Sequence, residues 1–344
     1  MNAVMDLLPS PEQTQVLDAI RGFLATEAPV ERLRKHGPTG NPDARLWRAL
    51  GDLGYVGIAL DERDGGIGLG SAEEMLAFRE YGRNLVSPGI LALTLAARIT
   101  ARVNDTSLRD QFLAGGVPVG LANGRADVKI GRTISGDFHL LEATAAPWIL
   151  FISDAGVGLF AREQFADIQA VASTDAVLTL ERARLNQSKP RLWLDRDSEP
   201  VEQRAMLLIA AYAVGLGEAT RDMAVSYAKM REQFGKPIGS FQAIKHICAC
   251  MAIRSEAALC QTSFASLAFQ QNRTDKEFHV VASKIVAVDA ALRNAADNIQ
   301  VHGAFGFTVE ADAHHYLKRS HVVDMMWGDL KAQRERLLAL PPPQ

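Results

Sequence analysis

The chain has 344 residues, 48% of them apolar and 22% charged, which is enough to bury the cores of two or three subdomains. Its formal net charge of −3 gives no basic surface for nucleic acid or for an anionic membrane. No apolar run approaches the roughly 20 residues that span a bilayer, and the first residues lack the basic and apolar regions of a signal peptide. We therefore expect no nucleic-acid partner, no membrane span and a cytoplasmic location.

The first third of the sequence has the periodicity and the start signals of helices. A capping box at Ser10 predicts one helix start. A second helix is predicted over Arg45–Leu53, and a third opens with another capping box and covers Ser71–Arg83. The glycine-rich segment Asp64–Gly70 lies between them. No strand precedes it and its spacing is not that of a nucleotide-binding loop, so we predict a tight connection.

Short β-type runs replace the helical pattern in the middle of the chain, where Gly, Asp and Ser clusters separate them as in a small sheet domain. The runs are Trp148–Ile152, Val157–Ala161 and Ala176–Leu180. The predicted class is mainly α with a small β domain. Its predicted parts are an N-terminal helical domain (1–116), a shortened middle β domain (117–187), a C-terminal four-helix bundle (188–340) and a tail (341–344).

The last third has the most regular helical periodicity, which argues for a bundle. One helix carries Met206 to Tyr227 and stops before Gly235, and the next is capped by Ser240 and runs towards Phe269. A third helix covers Lys276–Val301. A fourth is predicted after Thr308, with charges at both ends that match the helix dipole: Glu310 and Asp312 in its first turn, and Lys318, Arg319 and His321 near its end.

Three cysteines lie close together on one of these predicted helices: Cys248, Cys250 and Cys260. Their odd number argues against a disulfide framework. No further metal-ligating residue supports the Cys-Ala-Cys spacing, so no metal site is predicted. We expect small buried side chains, as free cysteines commonly are.

The segment from Tyr227 to His246 joins two of the predicted helices through a Gly-Lys-Pro-Ile-Gly corner. Its pattern, R-x-x-F-G-x-P-I…F-Q-x-x-K-H, resembles the dinucleotide-binding turn of the acyl-CoA dehydrogenase family. Further matches in the same order are Leu46–Leu60, Gly65–Gly70, Glu80–Arg83 and Ile299–Thr308. The resemblance covers nearly the whole chain and implies the helical–sheet–helical fold of that family.

The resemblance implies an FAD site at a subunit interface, in which one subunit holds the adenine and diphosphate end of its neighbour's flavin. A guanidinium can fork onto a diphosphate, and a glycine allows close backbone approach. The alternative is that Arg231 pairs with a nearby carboxylate and Phe234 is a core residue. The residues matching the family's clamp are Arg231, Phe234, Gln242, Gln300, Val301, His302, Gly303 and Ala304.

The sequence departs from the family at the catalytic base, a glutamate that removes a proton from the acyl-CoA. The two positions where family members carry it hold Trp327 and Ala205 here. An indole cannot accept that proton. Glu202 lies one helical turn before Ala205, and Asp324 and Asp329 lie on either side of Trp327; all three are weak replacement candidates. A carboxylate one helical turn from the base position is displaced by about 5 Å, whereas proton removal requires hydrogen-bond distance.

The sheet region departs from the family as well. Gly120–Asp127 lacks the glutamate, the proline and the final Gly-Ser of the family's T-E-P-x-x-G-S strand, which holds the flavin ring. Pro147–Leu150 contains a Trp-Ile pair, but a leucine follows where a hydroxyl is expected, so we interpret it as a core strand. The flavin-ring cradle that this subunit would build for itself is therefore predicted to be degraded.

Together these features resemble the short, base-lacking subunit of α₂β₂ acyl-CoA dehydrogenases, such as those of bacterial steroid side-chain degradation. The resemblance implies an FAD-dependent acyl-CoA dehydrogenase that works as a complex, with a second subunit and an electron-transfer protein as partners. One alternative is a homomeric enzyme with an atypical base, and another is a non-catalytic scaffold. The sequence does not identify the acyl group, whether fatty or steroid.

Overall fold

The computed structural model describes residues 7–35, 44–125 and 127–343. Helices come first, strands follow, and long helices form the last part, which confirms the predicted fold class. The first helices are α1 (Pro11–Glu27), α2 (Ala44–Asp52), α3 (Ser71–Arg83), α4 (Gly89–Arg102) and α5 (Thr106–Leu113). The later helices are α6 (Val201–Met230), α7 (Gln242–Gln270), α8 (Lys276–His302), α9 (Ala313–Met325) and α10 (Leu330–Ala339).

The strands between α5 and α6 form one mixed sheet. Its order is β6-β7-β3-β1-β4-β5-β8, with β2 paired to β3, and β1 and β4 run parallel while the other pairs are antiparallel. One face packs a core of phenylalanines that meet edge to face, as aromatic rings prefer. The strands are β1 (Val119–Gly124), β2 (Lys129–Ile130), β3 (Ile134–Leu141), β4 (Trp148–Ile152), β5 (Gly156–Ala161), β6 (Ala166–Ala170), β7 (Leu180–Ser188) and β8 (Leu192–Asp195).

The chain is organised as two compact units, each assembled from separate stretches of sequence. The first contains the described residues of Met1–Arg34, Ser71–Leu85 and Met206–Gln344. The second contains those of Lys35–Gly70 and Val86–Ala205. The first unit is helical, and the second joins the mixed sheet to short helices. Among the described residues, no helix is long and apolar enough to cross a bilayer.

In the helical unit, α3 and α6 cross at very short distance. At the crossing, a glycine of each helix lies against the backbone of the other helix. A Cβ added at Gly82 would lie 2.0 Å from the Tyr212 carbonyl oxygen, and one at Gly215 would lie 1.9 Å from the Arg79 carbonyl oxygen. Atoms cannot approach that closely, so this crossing requires residues without side chains. The crossing fixes the position of α6, whose far end carries Arg231.

A buried asparagine pins α6, α7 and α8 together. The two hydrogens of the Asn294 side-chain amide are shared among three acceptors: the carbonyl oxygens of Gly217 and Met251, both at 3.1 Å, and Ser255 Oγ at 2.9 Å. Gly217 lies on α6, and Met251 and Ser255 lie on α7. Because a buried amide is costly unless its hydrogen bonds are made, this network fixes how the three helices align.

Most of the predicted elements are confirmed, among them the capping box at Ser10 and the strand Trp148–Ile152. The predicted strand Ala176–Leu180 is wrong: residues 176–178 form a turn and a bend, residue 179 is irregular, and β7 begins only at Leu180. The predicted cap at Ser240 is also wrong. Ser240 ends a 3₁₀ turn, and Phe241 occupies the N-cap of α7 without a side-chain hydrogen bond.

The charge pattern predicted for the helix after Thr308 is wrong as well. That helix is α9, which begins at Ala313 and ends at Met325, so Glu310 lies outside it and Asp312 is its N-cap residue. Arg319 is buried, and it donates to Tyr212 Oη at 2.6 Å instead of complementing the helix end. The further helix α10 has too weak an apolar stripe to be predicted from periodicity.

The expectation of buried cysteines is contradicted. Cys250 and Cys260 are exposed and Cys248 is half-buried. All three lie on α7, which packs one face against its own unit and leaves Ala249, Ile253 and the exposed thiols on the other. Small and apolar residues occur on both faces of α7, so the positions of the cysteines relative to the packed face could not be read from composition.

Candidate functional site

A short hairpin follows α6 and forms one wall of the site. Strands β9 (Glu232–Gln233) and β10 (Lys236–Pro237) pair in antiparallel register. Between them, Phe234 and Gly235 take left-handed backbone angles, with φ of 55° and 75°. Two successive left-handed residues make the tight turn that matches the twist of a hairpin. The turn carries the Phe234 side chain outwards, with 92% of its surface exposed.

The end of α8 forms the opposite wall. The helix stops at Gly303, which has a φ of 62° and a ψ of −145° and is followed by a 3₁₀ turn through Phe307. This backbone region is accessible almost only to glycine. Apart from its neighbours in the chain, no atom of the described residues lies within 4 Å of where a Cβ at Gly303 would stand, so the backbone is open to a ligand at this point.

A cluster of apolar residues joins the two walls from below. Its buried members come from α6, α7 and α8, and the half-buried Tyr227 and Ile244 pack against them. This arrangement explains why the walls, far apart in the sequence, are held next to each other. The buried members are Ala224, Ala228, Met251 and Val301.

The walls and the cluster enclose an open cavity of about 750 Å³. This volume lies within the roughly 300–1,000 Å³ common for ligand pockets. Six of the eight predicted clamp residues line it, and the structure thus brings them together: Arg231, Phe234, Val301, His302, Gly303 and Ala304. Gln242 and Gln300 are exposed and are not among its lining residues. The Gln242 amide contacts His246 Nε2 at 3.2 Å.

Aromatic rings that were not predicted also line the cavity. Tyr227 stacks on His302 with ring centroids 4.1 Å apart, and its ring is nearly parallel to that of Phe305 at 6.3 Å. Phe241 lies edge-on to Phe234 at 6.0 Å. Tyr227 precedes Arg231 by four residues, one helical turn, so its place on the same helix face could have been inferred from the sequence.

Arg231 is the cationic residue of this cavity. Its side chain is exposed, and within the part of the chain that the structure describes it makes no ion pair. The alternative interpretation of Arg231 as half of a local salt bridge is therefore not supported, and neither is a core position for Phe234. A guanidinium with unused donors beside aromatic rings suits a ligand that has a planar part and an anionic part.

Phe234 combines backbone strain with exposure, and this leads to a test. Replacement by asparagine should stabilise the chain by about 0.5–1 kcal/mol, since asparagine tolerates the left-handed region and phenylalanine does not. Little burial is lost, because the ring is 92% exposed. Urea unfolding of the purified chain measures the change. Phe307→Asn is the matched control: Phe307 is exposed without a positive φ, so its stability should hardly change. A less stable Phe234→Asn chain would contradict the strain argument.

Trp327, at one of the two predicted base positions, lies in a turn. It has a φ of 53°, and its ring packs against a buried cluster that includes Met206 and Phe269. The buried Lys284 ammonium donates to the carbonyl oxygens on either side, those of Met326 and Gly328. The indole is therefore part of the packing of this turn, and it offers no proton acceptor.

The nearby carboxylates serve structural roles. Asp329 caps α10, accepting from the Ala332 backbone amide at 2.8 Å. Asp324 accepts from the Leu330 backbone amide at 2.9 Å, and burial raises the pKa of this carboxyl. Helix capping and turn closure account for both side chains.

The second predicted base position, Ala205, is fully buried on α6. Glu202 lies in the first turn of the same helix and is half-buried. It borders a small cleft with Arg196 and Glu199. Within the described residues, neither of the two predicted base positions holds a carboxylate.

The sheet region agrees with the interpretation of Trp148–Leu150 as core. Trp148 begins β4, with the Arg191 guanidinium 5.8 Å from its ring centroid, and Ile149 and Leu150 are fully buried. The segment Gly120–Asp127 contains most of β1, whose last residues Asn123 and Gly124 are exposed. Ala126 lies outside the described residues.

Comparisons with known proteins give consistent matches. The N-terminal domain of acyl-CoA dehydrogenases matches residues 10–115, and the C-terminal domain matches residues 203–339. Acyl-CoA dehydrogenase FadE34 of Mycobacterium tuberculosis is 34% identical over 354 residues, covering 96% of this chain and 48% of FadE34. The chain thus spans about half the length of that relative. Acyl-CoA dehydrogenase IpdE2 of the same organism is 28% identical, covering 90% of this chain and 92% of IpdE2.

Solved structures share the fold. A chain of the ChsE4–ChsE5 complex from Mycobacterium tuberculosis superposes with a TM-score of 0.85 at 22% identity, covering 98% of this chain and 100% of that chain. At this identity the likeness concerns the fold alone. The two domain matches together cover most of the sequence, and the chain belongs to the acyl-CoA dehydrogenase family.

Proposed function

We propose that this chain holds the adenine and diphosphate end of FAD in the active site of a second acyl-CoA dehydrogenase subunit, which supplies the catalytic carboxylate. When bound, FAD, the cofactor of this family, would supply the hydride acceptor for oxidation of an acyl-CoA thioester at its β-carbon. The base that removes the α-proton would come from the partner. The assembly would be an α₂β₂ enzyme that passes its electrons to an acceptor protein.

The observation that carries the proposal is the exposed Arg231 at a cavity walled by aromatic rings and open glycine backbone. Arg231 can fork onto a diphosphate. Gly303 can let a sugar or phosphate approach the main chain, and the ring of Phe234 can pack against a planar base. These residues fit the nucleotide half of FAD. The cavity belongs to the helical unit alone, so this half-site does not depend on the sheet.

The composition of the two base positions supports a partner. Trp327 and Ala205 have no proton-accepting group, and a positioned base contributes roughly 10²–10⁴ in rate. An enzyme made only of this chain would lack the rate increase that a positioned base provides. The sequence of β1 and of the loop after it lacks the side chains with which the family holds the flavin ring. The chain keeps the residues that would hold a neighbouring subunit's FAD. It lacks the residues that would hold and use a flavin of its own.

The relatives are compatible with such an assembly. FadE34 is about twice as long as the region it shares with this chain, so its single polypeptide has room for a second module of the same size. IpdE2 has about the length of this chain. The structural neighbour ChsE4–ChsE5 is itself described as a complex of two differently named proteins.

Flavin content tests the proposal. The chain purified alone should bind little FAD and should not oxidise acyl-CoA. Isolation of the tagged chain from its native source should recover a second acyl-CoA dehydrogenase with an intact glutamate, with one FAD for each pair of chains. Absorbance at the flavin band and quantitative mass spectrometry give the ratio. A yellow homomer with one flavin per chain and full turnover would refute the proposal.

A further inference from the structure

The helical unit contains a second cavity, the α7 pocket, which lies between α1, α3 and α7. Its volume is about 320 Å³, and eight of its fourteen lining residues are apolar. They include Met75 and Leu76 of α3 and Leu259 and Leu267 of α7. The α7 pocket shares no lining residue with the cavity beside Arg231, so the two are separate sites.

Most of the polar side chains in the wall of the α7 pocket already have partners. The Gln13 amide accepts from the Ser10 backbone N–H at 3.0 Å and donates to Glu73 at 2.7 Å. The Arg79 guanidinium forks onto the Glu218 carboxylate at 2.7 and 2.8 Å. These groups shape the wall, and their strongest hydrogen-bonding capacity is already used within the chain.

Ser263 of α7 is the exception. Only 7% of this residue is exposed, it lines the α7 pocket, and its hydroxyl has no hydrogen-bond partner among the residues that the structure describes. Ser266, in the same wall, instead donates its hydroxyl to the Ser263 carbonyl oxygen at 2.8 Å. Because burial of an unpaired hydroxyl is unfavourable, a ligand that bonds to Ser263 would remove this cost.

The charges around the α7 pocket favour an uncharged ligand. Arg79 is neutralised by Glu218, so an anionic group would find no unpaired cation among the described residues of the wall. At the mouth the anion would meet Glu256, an exposed carboxylate that accepts from the Cys260 thiol at 3.6 Å. A charge of either sign would also lose its hydration against a mostly apolar wall.

We infer that the α7 pocket binds a small uncharged molecule with a compact apolar body and one hydroxyl or carbonyl group, which hydrogen-bonds to the Ser263 hydroxyl. An apolar cavity of about 150 Å³ is enough to hold benzene. The larger volume of the α7 pocket therefore suits a body of about two fused rings. A mostly apolar wall with a few well-placed polar groups is typical of small-molecule sites. This site is additional to the proposed FAD clamp and does not depend on it.

2-Naphthol is the probe, and Cys260 is the reporter. Cys260 lines the α7 pocket, whereas Cys248 and Cys250 of the same helix do not. The purified chain is alkylated with iodoacetamide in the presence and absence of 2-naphthol. At about three times the Kd of 2-naphthol, Cys260 should react about fourfold more slowly, because only the free form is alkylated. The rate at Cys250 should not change.

Mass spectrometry reads each site separately, because trypsin cleaves after Arg254 and releases Cys260 on a different peptide from the other two thiols. Burial and the neighbouring Glu256 raise the pKa of the Cys260 thiol. The comparison is therefore made for each thiol with and without 2-naphthol, and not between thiols. The fluorescence of 2-naphthol gives its Kd.

An analogue and two variants test the hydrogen bond. 2-Methylnaphthalene replaces the hydroxyl of 2-naphthol with a methyl group of similar size. In Ser263→Ala, the affinity for 2-naphthol relative to that for 2-methylnaphthalene should fall about 3–10-fold, as expected for one lost hydrogen bond. Ser266→Ala is the matched control and should keep the parent's ratio, because its hydroxyl is already committed. The anion 2-naphthoate should bind the parent at least about tenfold more weakly than 2-naphthol.

Each part of the inference can fail separately. Unchanged alkylation of Cys260, or equal slowing at Cys250, overturns the site. A ratio that is unchanged in Ser263→Ala, or that falls equally in Ser266→Ala, overturns the hydrogen bond to Ser263. Tighter binding of 2-naphthoate than of 2-naphthol overturns the uncharged class of ligand. Thermal melting of both variants without ligand shows that a lost affinity is not lost folding.

Discussion

Gly215→Ala should destabilise the helical unit by about 3 kcal/mol or more, the upper end of what overpacking costs. The added methyl group would stand 1.9 Å from the Arg79 carbonyl oxygen. That oxygen belongs to the backbone of α3 and cannot rotate away as a side-chain atom could. The helices must separate instead, and every contact along their crossing weakens.

Urea or thermal unfolding measures this loss, and Gly22→Ala is its matched control. Gly22 lies in α1 and is exposed, and outside the backbone of its own helix no atom of the described residues lies within 4 Å of an added Cβ. There the same substitution should stabilise the chain by about 0.5–1 kcal/mol, because alanine is the better helix former. If Gly215→Ala proved neutral or stabilising, the close crossing of α3 and α6 would be wrong.

Arg231→Ala should weaken FAD binding by the assembled enzyme about 10–100-fold. A hydrogen bond to a charged group contributes about 1.5–3 kcal/mol, and the diphosphate would lose its forked partner. Arg231→Lys keeps the positive charge but cannot make two parallel hydrogen bonds to the diphosphate. Its affinity for FAD should lie between those of the parent and of Arg231→Ala. Neither substitution should prevent subunit assembly, since the side chain is exposed and makes no ion pair within the described residues.

Flavin fluorescence gives the affinity for FAD, and size-exclusion chromatography checks that the complex is intact. Lys229→Ala is the control: Lys229 is an exposed cation two residues earlier that does not line the cavity. It should leave FAD affinity unchanged. Full FAD occupancy in Arg231→Ala would instead favour the scaffold interpretation.

The site residues that lie in short continuous segments could be predicted from the sequence. Arg231 and Phe234 belong to one helix end and its turn, and residues 301–304 belong to another, so short motifs identify them. Gln242 and Gln300 carry the same motif signal, yet they lie beside the cavity instead of in its wall. A motif specifies residue types, while the rotation of a helix decides which side chains face inwards.

Features that depend on long-range packing were not predictable. The exposed cysteines of α7 required knowledge of which apolar face meets the rest of the unit. The capping role of Asp329 depends on the chain turning at Trp327, which Lys284, more than 40 residues earlier, holds in place. Single-sequence periodicity contains neither kind of information.

Exposed apolar side chains lie on and beside the two walls of the cavity, and they affect how the chain behaves in the cell. Four of them are each at least 70% exposed and Phe305 is 46% exposed; the four are Met230, Phe234, Phe307 and Val309. Exposed apolar clusters of this kind are either covered by another molecule or prone to aggregate. A chain synthesised in excess would present this surface to chaperones and proteases. Balanced synthesis with whatever covers it would then matter as much to the yield of active enzyme as the stability of either chain.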